Sequence, residues 1–201
     1  MPALLSDATL EAIHAQTVKL LSQVGVCVPD KGILKRLQRA GLPVDDDKQM
    51  VRFQPEALDE LLARVPKNLQ LYARDAKTPV SFEKGPRFMG SGTPGAVFDL
   101  RTGERRPSTR QDVIDMVRLE DALPNVEIVR PTMTATDGPD DSGLIEIAAS
   151  FRNTGKHVVH RVLKPENVEK AAALAAAVAG SEHLMRRHPI FTVLYCPISP
   201  S

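Results

Sequence analysis

The sequence predicts an α/β fold, and more narrowly a partial (β/α)8 TIM barrel preceded by a helical N-terminal extension. After Thr109, apolar strands are predicted at 126–130, 157–162 and 190–195, at intervals of about 30 residues, with an amphipathic helix before each. Before Thr109, the chain reads mainly as short helices and short strands. Strands that alternate with helices in this way form βαβ units, which pair in parallel through right-handed crossovers. We therefore predict an N-terminal layer over 1–108 and the first barrel units over 109–201.

The same rhythm could belong to a doubly wound sheet, but that fold usually carries a nucleotide-binding glycine fingerprint, which is missing here. The glycine-rich segment 90–95 lacks the strand–GxGxxG–helix context, so it is predicted to be a turn rather than a phosphate cradle. A complete barrel needs eight units and about 250 residues. Only three or four units are visible, and the chain stops directly after a strand. We therefore expect a barrel truncated at the C-terminus, with an open sheet edge that exposes apolar surface.

The N-terminal layer is predicted from helix caps and apolar spacing. Ser6 and Asp30 are suitable N-caps for helices that end near Gly25 and Gly41, and Pro55 begins a third helix. Alternating residues at 69–74 indicate a half-buried strand, and two more short strands are expected near 87–89 and 96–100.

Composition excludes several classes of partner. The 26 basic and 25 acidic residues nearly cancel, so no strong field attracts nucleic acid or an anionic membrane. Aromatic residues make up only 4% of the chain and tryptophan is absent, which argues against base stacking. Cys27 and Cys196 do not make a disulfide framework, and they favour a reduced, cytoplasmic setting. We see neither a secretory signal nor an apolar run long enough to span a bilayer.

The stretch 98–112 marks the change of architecture. It reads as a strand, a Thr102–Gly103 turn, an exposed basic link and a helix start, where Thr109 is the N-cap and Asp112 completes a weak capping box. From this position we expect Asp99, Arg105 and Arg106 to join the N-terminal layer to the barrel through charged hydrogen bonds.

Several stretches carry a family resemblance through their order and spacing. They are Leu10–His14, Leu20–Val26, Leu71–Asp75, Phe98–Pro107, Asp121–Asn125 and Arg152–Lys156. Together they make the chain similar to the N-terminal part of the trimethylamine methyltransferase family, the MttB-type corrinoid methyltransferases. One residue departs from the family pattern: His157 stands where a proline is expected after the Asn-Thr-x-Lys motif.

The resemblance implies a (β/α)8 barrel that moves a methyl group from a methylated amine to the cobalt of a corrinoid (cobalamin) carried by a separate corrinoid protein. The implied substrates are trimethylamine or a quaternary amine such as glycine betaine. Some members use pyrrolysine, whose position would lie beyond residue 201. We expect a homo-oligomer at full length, no nucleic-acid or membrane partner, and no activity from these 201 residues alone.

Candidate site residues are those that directly follow strands, because barrel active sites lie at the carboxyl ends of the strands. Asp137 could face a cationic amine or could be a turn residue. Arg161 could meet a substrate carboxylate or the partner protein, or lie on the surface. His160 and Cys196 could line the pocket or be structural. Catalytic residues stay unassigned.

A metal site is not expected. His157 and His160 are three apart on a strand, so their side chains point to opposite faces and cannot share one ion. The sequence also has no Cys-x-x-Cys pair or helical His-x-x-x-His pair to supply ligands. We therefore predict that this chain binds no metal itself.

Two alternatives from other functional classes remain. The chain could be a non-catalytic interaction scaffold that keeps only a docking surface for the corrinoid protein. It could also be an unrelated barrel lyase or aldolase, in which Lys164 would have to form the Schiff base although it stands at a helix start. Asn153, Thr154 and Lys156 precede a strand, which favours a structural role for them.

Overall fold

The computed structural model describes residues 4–74, 79–138 and 142–194, apart from the side chains of Lys84 and Ser142. These residues belong to two compact units that divide between Lys67 and Asn68. The domain boundary predicted at residue 108 stays a prediction.

The first unit combines three helices with a small antiparallel sheet. Its elements are α1 (Asp7–Gln23), β1 (Val26–Cys27), α2 (Lys31–Arg39), β2 (Val44–Asp45), β3 (Met50–Val51) and α3 (Pro55–Ala63). The predicted caps are confirmed, because Ser6 accepts a hydrogen bond from the Thr9 amide and Asp30 accepts one from the Ile33 amide. The sheet, in the order β1-β3-β2, was not predicted as such.

The second unit contains a parallel sheet, two antiparallel hairpins and four helices within the described residues. Its elements are β4 (Gln70–Leu71), β5 (Val80–Ser81), β6 (Phe88–Met89), β7 (Ala96–Phe98), β8 (Arg105–Pro107), α4 (Arg110–Ala122), β9 (Val126–Val129), α5 (Ser142–Asn153), β10 (His157–Arg161), α6 (Glu166–Ala179), α7 (Glu182–Arg187) and β11 (Phe191–Leu194). A short 3₁₀ helix at Phe82–Lys84 follows β5. The predicted alternation of strands and helices is confirmed, although α7 was missed.

The parallel sheet has the order β11-β10-β9-β6, so each strand lies beside the parallel strand that precedes it in the chain. Val158 of β10 lies opposite Val129 on one side and Phe191 on the other. Strand β6 pairs with β9, which brings a segment assigned to the N-terminal layer into the parallel sheet. Over the described ranges the sheet is open, with β6 and β11 at its edges, as predicted.

The two faces of this sheet pack differently. On one face, Val129 packs against Val113 and Val117 of α4, and Val158 packs against residues of α5 and α6. On the other face, Ile128 and Val159 pack against Leu71. Helices therefore cover one face, and the hairpin of β4 and β5 reaches the other.

The predicted basic link at 105–107 is instead β8, which pairs antiparallel with β7. Its Arg106 forms a two-pronged ion pair with Asp112 of α4, with Nη–Oδ distances of 2.7 and 2.8 Å. Asp112 and Thr109 also form the predicted capping box. The side chain of Asp99 stays within the hairpin of β7 and β8, where its Oδ1 accepts hydrogen bonds from the backbone amides of Arg101 and Thr102.

Candidate functional site

The loops at the carboxyl edge of the parallel sheet follow β6, β9 and β10. Arg161 is the last residue of β10 and, by strand alternation, shares the face of Val159. Its Nη2 donates a hydrogen bond of 2.7 Å to Oγ1 of Thr93, in the loop after β6. The Nε of Arg161 is shielded from solvent, and no hydrogen-bond acceptor for it is found in the part of the chain that the structure describes.

A cavity of about 110 Å³ lies between α5, the end of β10 and the start of α6. Two predicted site residues, His160 and Arg161, are among its lining residues, although by strand alternation their side chains point to opposite faces of the sheet. The remaining lining residues are Thr134, Gly143, Leu144, Glu146, Ile147, Val162, Leu163, Lys164 and Asn167. The cavity lining therefore combines apolar side chains with several charged or polar ones.

Glu146 and His160 form a buried pair in this cavity. The Oε2 of Glu146 lies 2.8 Å from Nε2 of His160, and the two side chains are 2% and 5% exposed. The other carboxylate oxygen accepts the Ala135 amide at 2.7 Å, in the loop after β9. Nδ1 of His160 lies 2.7 Å from the Arg161 carbonyl oxygen. Through this pair α5 connects the loop after β9 with the end of β10.

Glu120 is a second buried carboxylate near the carboxyl edge. It accepts hydrogen bonds of 2.9 Å from the Arg130 amide and from Oγ1 of Thr132, both just after β9. Burial raises the pKa of Glu120, and those two hydrogen bonds oppose the shift.

Neither Glu146 nor Glu120 was named from the sequence as a site residue. The sequence does contain a signal for Glu120, because this residue falls at helical spacing on the buried stripe that includes Val113 and Val117. A charged residue within an apolar stripe needs a polar partner.

Asp137 lies apart from the residues that line this cavity. It is exposed, and its Oδ1 accepts a 2.8 Å hydrogen bond from the Arg110 amide at the start of α4. This bond is what the turn interpretation of Asp137 would lead us to expect. Cys196 lies outside the described residues.

His157 and His160 have different partners, as strand alternation predicts. His157 is fully buried, and its ring nitrogens lie 3.1 Å from the Tyr72 carbonyl oxygen and 2.9 Å from Oγ1 of Thr192. Burial lowers the pKa of His157. Within 4–74, 79–138 and 142–194, no three His, Cys, Asp or Glu side chains are grouped to hold a metal ion.

Lys156 and Thr154 lie at the opposite, amino-terminal edge of β10. The Nζ of Lys156 donates to the carbonyl oxygens of Glu120 and Leu123 at 2.9 Å each, and Thr154 hydrogen-bonds to Asp121. These contacts hold the C-terminal end of α4, in line with the structural role predicted for both residues.

Among the described residues, no helix combines the length and the apolarity that crossing a membrane requires.

Comparison with known proteins gives a match along the whole chain. The family model described as "Trimethylamine methyltransferase (MTTB)" matches residues 1–201. Trimethylamine methyltransferase MttB of Desulfitobacterium hafniense (strain DSM 10664 / DCB-2) is 30% identical over 197 residues, which cover 97% of this chain and 40% of that protein.

Two further relatives match over nearly the same span. Trimethylamine methyltransferase MttB of Methanosarcina thermophila is 28% identical, with 98% of this chain and 42% of that protein covered. The glycine betaine methyltransferase of Desulfitobacterium hafniense (strain Y51) is 25% identical, with 98% and 41% covered. The chain thus spans about 40% of the length of the curated relatives that it matches.

Proposed function

Because this chain belongs to the trimethylamine methyltransferase family, we propose that it serves the transfer of a methyl group from a methylated amine to the cobalt of a corrinoid protein. The observation that carries this proposal is the family match over residues 1–201. The corrinoid, carried by the partner protein, supplies the nucleophile that accepts the methyl group. The amine reacts as a quaternary ion or, for trimethylamine, in its protonated form. When the carbon–nitrogen bond breaks, its electron pair stays on nitrogen, so an amine with one methyl group fewer and a neutral nitrogen leaves.

The sheet supports a (β/α)8 barrel as the setting for this reaction. Four parallel strands lie side by side in chain order, which is the order in such a barrel and not that of a sheet with a switch point. In a barrel of this kind, substrates bind at the carboxyl ends of the strands. The cavity between α5, β10 and α6 lies at that edge.

Arg161 favours a substrate that carries a carboxylate. A guanidinium presents its N–H donors in a planar fork that matches a carboxylate, whereas it would repel a simple ammonium ion. The Nε of Arg161, which has no acceptor among the described residues, is a donor for which such a group would supply the acceptor. A quaternary amine with a carboxylate, such as glycine betaine, therefore suits this strand end better than trimethylamine. Asp137, His160 and Cys196 remain candidate substrate contacts.

The test is a methyl-transfer assay with a reduced corrinoid protein and either glycine betaine or trimethylamine. The enzyme is the 201-residue chain in one arm and a full-length family protein that contains this sequence in the other. We expect methylation of the corrinoid, seen in its visible spectrum, only in the full-length arm and faster with glycine betaine. No methylation with either amine would contradict the enzymatic proposal and favour a scaffold that only docks the corrinoid protein.

The variant Arg161→Leu tests the substrate assignment in the same assay. Loss of one charge-assisted hydrogen bond raises KM for glycine betaine about tenfold or more, while the rate with a substrate that lacks a carboxylate does not fall. Arg130→Leu is the matched control, since Arg130 also follows a parallel strand but does not line the cavity. Equal effects of the two variants would contradict a specific role for Arg161.

A further inference from the structure

The buried pair of Glu146 and His160 has more hydrogen-bond acceptors around it than a neutral histidine and a carboxylate can satisfy. The Arg161 carbonyl oxygen only accepts, so the 2.7 Å contact requires a proton on Nδ1 of His160. The 2.8 Å contact between Nε2 and Oε2 requires a second proton, carried by one of these two atoms. The pair therefore holds two protons, one of which is on Nδ1 of His160.

Glu146 is held at both carboxylate oxygens. Its Oε1 accepts the Ala135 amide at 2.7 Å, and its Oε2 lies 2.8 Å from Nε2 of His160. One side chain of α5 therefore contacts both the loop after β9 and the ring that holds the end of β10.

We propose that Glu146 and His160 are positioning residues that fix Arg161 at the carboxyl end of β10. Nδ1–H of His160 holds the Arg161 carbonyl, while Glu146 holds the loop after β9 through Ala135. On the other sheet face, the Arg161 guanidinium is held by Thr93. Three loops of the carboxyl edge are thereby connected at one strand end. The value of this arrangement for substrate binding rests on the proposed function, but the arrangement itself does not.

Nuclear magnetic resonance of the 201-residue chain, labelled with ¹⁵N, tests the arrangement without any activity. Long-range ¹H–¹⁵N spectra at neutral pH report which ring nitrogens of each histidine carry protons, and the His160 signals are those missing from His160→Gln. We expect a proton on Nδ1 of His160. A His160 ring without a proton on Nδ1 would overturn the proposal.

Variants of Glu146 then test the effect on Arg161. In Glu146→Leu the partner of Nε2 is lost, and we expect hydrogen exchange at the Arg161 Nε–H to become about tenfold faster, the change that corresponds to one net hydrogen bond. In Glu146→Gln the amide can still accept from Ala135 and donate to Nε2, so the exchange rate stays within about twofold of the wild-type value. This rescue separates positioning from general destabilisation.

Glu120→Gln is the matched control, because Glu120 is another buried helix carboxylate that binds the loop after β9 but does not contact His160. The His160 and Arg161 signals should be unchanged in it. Unchanged Arg161 exchange in Glu146→Leu, or an equal change in Glu120→Gln, would overturn the proposal. Failure of methyl transfer alone would leave these signals as predicted, so it would count against the proposed function only.

Discussion

Gly90 shows how closely single residues are packed at the carboxyl edge. A Cβ at this position would lie 2.2 Å from the Arg130 carbonyl oxygen and 2.4 Å from Oε1 of Glu120. Neither group can retreat easily, since the Arg130 oxygen is part of the backbone and the Glu120 carboxylate of α4 is held by hydrogen bonds from the Arg130 amide and Thr132. Glycine is therefore required here by close approach and not by its backbone angle.

The variant Gly90→Ala should lower the free energy of unfolding by about 1–3 kcal/mol, the usual cost of inserting a methyl group into a filled space. Urea denaturation of the 201-residue chain measures it. Gly138→Ala is the control, because among the described residues its new Cβ would meet Ile145 alone, at 3.7 Å. Equal losses in the two variants would show that the turn after β9 adapts.

Asp112 combines a helix cap with an ion pair. The Arg106 guanidinium, followed by hydrogen bonds from Thr109, holds the pKa of this carboxyl well below its usual range. The lowered pKa means that the native state favours the ionised form, so the stabilisation is present at neutral pH and is lost as the pH falls below the ordinary carboxyl value.

Asp112→Ala should therefore cost about 1–2 kcal/mol at neutral pH, as for other lost caps. The difference in unfolding free energy between this variant and the wild type should become smaller as the pH is lowered below about 4. Urea denaturation across that range checks both statements, with Asp115→Ala on the exposed face of α4 as the control. If this difference stayed constant with pH, the ion pair between Asp112 and Arg106 would contribute nothing to stability.

At the scale of elements, β10 lies in the interior of the parallel sheet and contacts several other elements of the second unit. It pairs in parallel with β9 and β11, and its first residue, His157, bridges the Tyr72 carbonyl and the Thr192 hydroxyl. Nδ1–H donates to the Tyr72 carbonyl, and in the neutral ring, which burial favours by lowering the pKa of His157, Nε2 accepts from Thr192. A histidine takes the place of the expected proline by bonding to both neighbours.

His157→Leu should lower the free energy of unfolding by about 1–3 kcal/mol at neutral pH, since it leaves two buried polar groups unpaired. Burial lowers the native pKa of His157 from 6.5, so its stabilisation is present above that value and is lost as the pH falls. The difference in unfolding free energy between His157→Leu and the wild type should thus become smaller at acidic pH. Chemical denaturation at several pH values measures it, with His183→Gln, on the exposed side of α7, as the control variant.

The elements differ in how far the sequence could predict them. Long periodic segments such as α1, α4 and β10 were predicted within about two residues, because capping and apolar spacing agree there. β8 was missed, because Arg105, Arg106 and Pro107 show no strand pattern, and only pairing with β7 makes them one. α7 was missed because Gly180 ends α6 and a new N-cap follows at once, at Ser181.

The site was predictable only at strand ends. His160 and Arg161 were named because they end a parallel strand, and the structure places both at one cavity. Glu146 was not named, since its partner lies fourteen residues away on another element. Spacing within a helix cannot reveal a contact that depends on how the helix packs on the sheet.

At the scale of the whole molecule, the two compact units differ in how completely they are buried. In the first unit α1 and α3 have no buried residue, and the fully enclosed side chains are those of Leu34 and Val51. In the second unit, Val113, Val117 and several residues of α5, β10 and α6 are fully enclosed. We therefore expect lower local stability in the first unit than in the second.

Hydrogen exchange followed by mass spectrometry tests that expectation. Amides of α1 should exchange at least about tenfold faster than those of β10, because few buried contacts oppose local opening of α1. Peptides from α4, which is enclosed at Val113 and Val117, serve as the internal reference. Protection of α1 equal to that of β10 would contradict the difference in stability.

The order of strands in the sheet also bears on how the chain is made. Each parallel strand pairs with the one synthesised before it, so no strand has to wait for a distant later segment. β9, β10 and β11 begin at residues 126, 157 and 191. At ribosomal rates of about 5–20 residues per second, a new strand emerges roughly every 2–7 s. The sheet can thus grow by one strand at a time during translation, and each addition covers the apolar edge left by the previous one.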